Sequence, residues 1–404
     1  MERARGAWRA VLGEAGLALW GTGIQLSEAV AALGMALSLV AMWPPSRPWR
    51  GAARGYWPLW AFVGWCLVAP RLAGRLPTPG GAWRIVDWCF LPVAAATLPL
   101  LGRRARVRLA GAVGAVFLAS CLAALCQHWG LWPGPGTFER WRWTHLPFQR
   151  MYETLPGDPS RFMAGGLLLH RLKFAHVGGF LVLGFLDLGL ALGRRAALVL
   201  ALAGAVLVAW LPHARAAAVA LLVSMGLVLA LRLVGRWRWP ALALGLLAAA
   251  ALVAGVPSLR LRFASAASDE GSGDRRWLLV SAVRAVAEHP WVGVGLGNYR
   301  PGLFAPPDAP PDVVHHAGKA HNQYLTLAAE AGLPAAILYL VLLGFCWRRV
   351  RPAPPLGAAG RAGVAFLALL GLLHDPLFHA EVSMAAVLAL GLARGAAGTG
   401  ESTP

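Results

Sequence analysis

The segment KAHNQYLTLAAEAGLPAAILYLVLL holds the residues best suited to chemistry, because His321 and Asn322 fall where a polar approach enters an apolar run. A helix beginning there presents free N–H groups and partial positive charge, which suits an anionic ligand and favours a neutral imidazole alongside. A neutral imidazole at a water–membrane boundary is a competent general base; the plainer alternative is an interfacial histidine that starts a helix. Arg215, in LPHARAAAV, stands beside hydrocarbon, where its planar, permanently charged fork either grips phosphate oxygens or snorkels to the headgroups. Arg275 and Arg276 offer the same fork in GDRRWLLVSAVRAVAEHPWVGVGLGNYRPG.

Other ionisable residues gather near these. His170, Arg171, Lys173 and His176 cluster ahead of one apolar run, facing the same cavity or simply interfacial. Tyr324 follows Asn322 closely, and Glu330 lies deep enough in its run to require a partner or a wet cavity. Asp187 reads as a local ion pair with Arg194, while His374 and Asp375 are candidates to line the cavity. GVGLGN invites a nucleotide-binding reading, but no strand precedes it and no crossover helix follows, so a tight turn with close backbone approach is expected instead. No DxD pair appears, so neither a metal nor another cofactor is expected, and Asp269, Glu270 and Asp274 read as a solvated loop.

The elements that must position these groups are membrane spans. Of the 404 residues 58% are hydrophobic and only 14% charged, with a mean hydropathy of +0.58. A net charge of +19 would suggest nucleic acid in a soluble protein, but the arginines flank apolar runs, so no nucleic-acid partner is expected. Cys66, Cys89, Cys121, Cys126 and Cys346 all lie inside apolar stretches without metal-ligand spacing and read as packing residues.

About twelve transmembrane spans are expected, near 8–22, 26–43, 56–70, 85–101, 109–128, 174–192, 196–211, 214–232, 239–256, 320–347, 361–374 and 378–393. With both termini cytoplasmic, inside segments hold 20 arginines and the short outside loops only Arg71, Arg75, Arg84 and Arg215, as the positive-inside rule demands. Spans one to nine thus occupy residues 1–256, spans ten to twelve residues 320–394, and 395–404 form a disordered cytoplasmic tail. Two long segments fall outside: 129–173, with the aromatic stretch WPGPGTFERWRWTH, and 257–319, polar and partly helical from Arg275 to Glu288 before Pro290 stops it. The fold class is an all-α integral membrane protein with a long, partly helical periplasmic loop between spans nine and ten.

Arg215, then a span, then Arg275 ahead of HPWVGVGLGNY, then AHNQYLTLAAEAGLP entering a long span with two more to follow: this order resembles the bacterial O-antigen ligase family. These polytopic glycosyltransferases include O-antigen polymerases and protein O-oligosaccharyltransferases. The resemblance implies an inner-membrane enzyme that moves a glycan from an undecaprenyl-diphosphate carrier to an acceptor such as lipid A core on the periplasmic face. By that resemblance His321 is the base that deprotonates the acceptor hydroxyl, and Arg215 with Arg275 or Arg276 holds the diphosphate. Asn322, Tyr324, Lys173, His176 and Glu330 are candidates to support them. A polysaccharide polymerase, and a transporter or flippase of lipid-linked sugars, are the alternatives.

Overall fold

The computed structural model describes residues 2–43, 55–72, 74–131, 153–155, 158–233, 235–255, 269–310 and 319–396. The stretch WPGPGTFERWRWTH, residues 257–268 of the second long loop and the tail GTGESTP lie outside the described residues. The chain is built of helices: α1 Glu2–Leu26, α2 Glu28–Ala41, α3 Trp57–Leu72, α4 Pro79–Val86, α5 Leu91–Thr97, α6 Arg103–His128, α7 Arg171–Leu192, α8 Arg195–Trp210, α9 Arg215–Arg232, α10 Arg238–Gly255, α11 Asp269–Glu288, α12 Gln323–Ala331, α13 Leu333–Arg349, α14 Gly357–Leu373 and α15 Ala380–Ala396. A two-stranded antiparallel hairpin, Thr154–Leu155 with Asp158–Phe162, is the sheet among the described residues.

Among the described residues three helices, α6, α7 and α9, are long and apolar enough to cross a membrane, and shorter apolar helices accompany them. Large apolar side chains point outward: Val199, Leu202 and Val206 on α8, Leu118 and Leu122 on α6 are all exposed. The interior instead favours small residues that let backbones approach. In α1 and α2 a Cβ added at Gly34 would lie 2.2 Å from the Trp20 nitrogen, and one at Gly16 2.5 Å from the Ser38 hydroxyl. Outward leucine and valine with inward glycine and alanine is how helices pack in lipid, where backbone groups must be satisfied within each helix. The chain is an all-α membrane protein.

Two of the expected spans depart from single α-helices. Residues 85–101 run through α4, a 3₁₀ turn at Asp87–Phe90, α5 and a second 3₁₀ turn at Leu98–Leu100. Pro92 and Pro99 each remove a backbone donor there. Residues 320–347 divide into α12 and α13 at Gly332, whose φ of +82° no ordinary side chain adopts easily. Pro334 follows within the first turn of α13 and supplies no N–H with which to continue the preceding helix.

One end of the bundle is tied by arginines. Arg9 donates to the Trp43 carbonyl at 3.1 Å, Arg108 grips Glu14 with two bonds of 2.7 Å, and Arg394 donates to the Arg349 carbonyl at 3.0 Å. Asp187 corrects the sequence reading: its partner is Arg232, not Arg194, and it also accepts the Ala359 N–H at 3.0 Å. Arg194 follows Gly193, whose left-handed φ of +62° ends α7 and turns the chain away. Arg232 also donates to the carbonyls of Ala353 and Pro354, so the last turn of α9 sits beside the segment leading into α14. At the opposite end α11 rests on α12, with Leu278, Ala282, Ala285, Val294, Tyr299, Ala320 and Ala329 buried in or beside that contact. The expected loop helix is real, and longer than the sequence reading by the six residues from Asp269.

Candidate active site

The first turn of α12 fixes His321 from both sides. Asn322 is the N-cap: its side-chain oxygen accepts the N–H groups of Tyr324 at 3.1 Å and Leu325 at 3.0 Å, and its amide donates to the Leu372 carbonyl at 3.1 Å. Gln323 accepts the Leu377 N–H at 2.9 Å, and the Thr326 hydroxyl accepts the Ala320 N–H at 3.0 Å. Between these tethers His321 is held half-buried at φ +53°, a left-handed conformation that costs a side chain about 1–2 kcal/mol. Sparsely populated backbone of this kind persists only where its surroundings enforce it.

The tethers run to the turn between α14 and α15, and so bring His321 beside His374 and Asp375. Four groups set the field at His374: His176, Arg275, His321 and Arg171. The His176 ring lies 5.4 Å away, nearly edge-on. Arg275 is half-buried, and burial first and Arg171 second push its guanidinium below its ordinary value. Its neighbour Arg276 points away, exposed, over the Trp277 ring. Successive residues on a helix diverge by about 100°, so only one of the two can face inward, and that one is Arg275. Asp375 is buried, which raises its carboxyl above the usual range against the lowering influence of the Thr326 hydroxyl, Lys319, Arg84 and the His321 N–H.

Arg215 opens α9, with Nη1 buried, two residues after His213, whose φ is +49°. Helices α9 and α14 pack against each other with 18 and 17 residues, and the last turn of α9 touches the approach to α14. Arg215 therefore lies at the end where α14 delivers His374.

Lys173 is already matched to carboxylates: it reaches Glu381 at 2.5 Å and Glu28 at 3.5 Å. Tyr324 donates its hydroxyl to the Ala368 carbonyl at 2.9 Å and so joins α12 to α14. His170 caps α7 by accepting the Lys173 N–H, and its ring lies 5.0 Å from His379. Burial, then Lys173, Lys319 and Arg171, push His170 down to about 4, so it is neutral at physiological pH. His176 is buried with neither ring nitrogen bonded to protein.

Glu330 explains the glycines. Its carboxylate takes Arg84 at 3.3 Å and the Gly297 N–H at 3.0 Å, while Val294 and Gly295 donate to the carbonyls of Ala329 and Glu330, each at 2.8 Å. A Cβ at Gly293 would lie 2.4 Å from the Glu330 backbone, and one at Gly297 1.9 Å from the Thr78 hydroxyl. The turn is thus an intramolecular clasp, its amides engaged by α12 rather than by a phosphate. Arg84 also lies 4.9 Å over the Phe378 ring, with Lys319 4.7 Å from the same ring.

His374 and Asp375 stand at the site as cavity-lining candidates, while Arg84, Lys319 and His379 are site residues that the sequence did not single out. Arg84 had a visible signal, as one of the few arginines in the basic-poor segments. Residues 198–340 match the model of a family described as O-Antigen ligase, a stretch that contains Arg215, Arg275, Arg276, His321, Asn322, Tyr324 and Glu330. No curated protein matches the chain.

Proposed function

We infer, from the O-antigen ligase assignment of residues 198–340, that this membrane glycosyltransferase moves a glycan from an undecaprenyl-diphosphate carrier to an acceptor hydroxyl, O-antigen ligase fashion. The observation that carries this reading is the pair of hydrogen bonds, Asn322 to the Leu372 carbonyl and the Leu377 N–H to Gln323, that holds His321 at the turn bearing His374, within electrostatic reach of Arg275. One supplies a base, the other a fixed cation, at a single mouth.

In the proposed step His321 takes the acceptor hydroxyl proton as the acceptor oxygen attacks the anomeric carbon. The bond from that carbon to the carrier's diphosphate oxygen breaks, and the electron pair leaves with the diphosphate. Arg275 and Arg215 stabilise that charge as it develops, and preorganised donors of this kind do so without reorganising during reaction. The half-buried setting of Arg275 strengthens its attraction for an anion relative to open water. Arg276 on the outer side of α11 is assigned no contact with the diphosphate, and Asn322 and Glu330 hold the backbone that presents His321. The arginine-rich end faces the cytoplasm and the mouth faces the periplasm of a bacterial inner membrane.

Purified protein incubated with labelled carrier-linked glycan and either lipid A core or a second carrier-linked glycan tests this. Wild type is expected to transfer label covalently to one of them, and folded His321→Ala to lose roughly a hundredfold or more of the rate. Label moved to lipid A core marks a ligase, and label extending a carrier-linked chain marks a polymerase. Undiminished transfer by His321→Ala would refute the mechanism, and movement of the carrier across the bilayer without new covalent bonds would indicate a flippase.

A further inference from the structure

Behind His321 lies a buried polar group that the proposed transfer does not use. His176, on the inner face of α7, is 1% exposed, and both its ring nitrogens lack a protein hydrogen-bond partner. Leaving a buried imidazole unbonded costs the full desolvation of its polar atoms, and a core seeking only to fill that volume would do better with an apolar ring. His176 does not stand alone. Its ring meets that of His374 edge-on, with the ring centroids 5.4 Å apart. His374 in turn is drawn beside His321 by two hydrogen bonds that straddle it, Asn322 to the Leu372 carbonyl and the Leu377 N–H to Gln323. On the far side the paired rings of His170 and His379, 5.0 Å apart and half-buried at the start of α7, lead outward.

We propose that His374 and His176 form a proton-release path behind His321, joined by water. This rests on the transfer reaction proposed above. When donor and acceptor are in place, the open side of His321 is taken up by the acceptor hydroxyl, so the proton it accepts must leave by another side. The imidazolium of His321 passes a proton through water to one nitrogen of His374, whose other nitrogen releases one toward His176. His176, with neither nitrogen tied to protein, repeats the exchange toward His170 and His379 and then to bulk water. No bond other than N–H and O–H changes along the path, each imidazole ends neutral, and the diphosphate keeps its charge. The groups facing His374 are His176, Arg275, His321 and Arg171, and those facing His176 also include His170 and Lys319. His176 is therefore a positioning and relay residue that touches no substrate.

The test uses the full-length protein and the glycan-transfer assay, with His176→Gln and His176→Phe checked for a monodisperse gel-filtration profile. Glutamine keeps a donor and an acceptor but holds no titratable proton, and phenylalanine fills the space with neither. Both variants are expected to lose at least about tenfold in kcat with KM for donor and acceptor unchanged, and to show a larger solvent deuterium effect on kcat than wild type. Wild-type kcat in His176→Gln, or an unchanged deuterium effect in both variants, would reduce His176 to a structural hydrogen-bonding group and overturn the relay. If wild type itself transfers no glycan, the proposed function falls and the relay with it; an active wild type with inactive His321→Ala isolates the result to His176.

Discussion

His321 combines a reactive side chain with a backbone that resists holding it. Its φ of +53° suits glycine, so His321→Gly should be the more stable of two inactive variants: its melting temperature in detergent is expected to exceed that of His321→Ala, by an amount corresponding to about 1 kcal/mol. Equal melting points would show that the left-handed conformation costs nothing there. The identity of His321 as a candidate was legible because an imidazole at the start of an apolar run is costly without a use. Its strained backbone was not, since that depends on Asn322 and Gln323 finding Leu372 and Leu377, about fifty residues further along the chain. Arg275 and Arg276 were indistinguishable by type and position in the sequence. Only the rotation of α11 against α12 separates the inward residue from the outward one.

Among the elements, the glycine turn and α12 depend on one buried ion pair. Removing one member of such a pair leaves an uncompensated charge, so Arg84→Ala should destabilise the protein by about 3 kcal/mol. Adding Glu330→Gln should recover part of that loss, because glutamine is uncharged yet still accepts the Gly297 N–H. Denaturant unfolding of the two single variants and the double variant measures this, and additive losses would mean that the pair is not coupled. Hydropathy located α12 and α13 together but not the break between them, since one glycine barely alters an apolar average. It also located Glu330 as a residue needing a partner. The partner's identity was hidden because Arg84 lies 246 positions away in the chain.

For the molecule as a whole, the arginine bias was the most legible feature, because each positive charge reports on the nearest span end without knowledge of packing. The pairings that close the arginine-rich end, Arg232 with Asp187 and Arg108 with Glu14, needed the assembled bundle. If the proposed orientation holds, a cysteine replacing exposed Leu303 should react with a membrane-impermeant maleimide applied to spheroplasts, above the background of the native cysteines. A cysteine replacing exposed Arg351 should react only after lysis. The reverse pattern would place the mouth in the cytoplasm and remove the basis for a periplasmic acceptor.

Gly332 has a mechanical meaning as well. By parting α12 from α13 it lets the short helix that follows His321 take its own direction, set by the glycine clasp through Val294, Gly295 and Gly297 on one side and by α14 through Tyr324 on the other. At that junction the Leu333 N–H meets the Pro290 carbonyl, so the clasp is fastened at Gly332 as well. Under the proposed transfer, a long glycan pulling on this segment would meet a helix braced from two sides, so the placing of His321 would not depend on α13 alone.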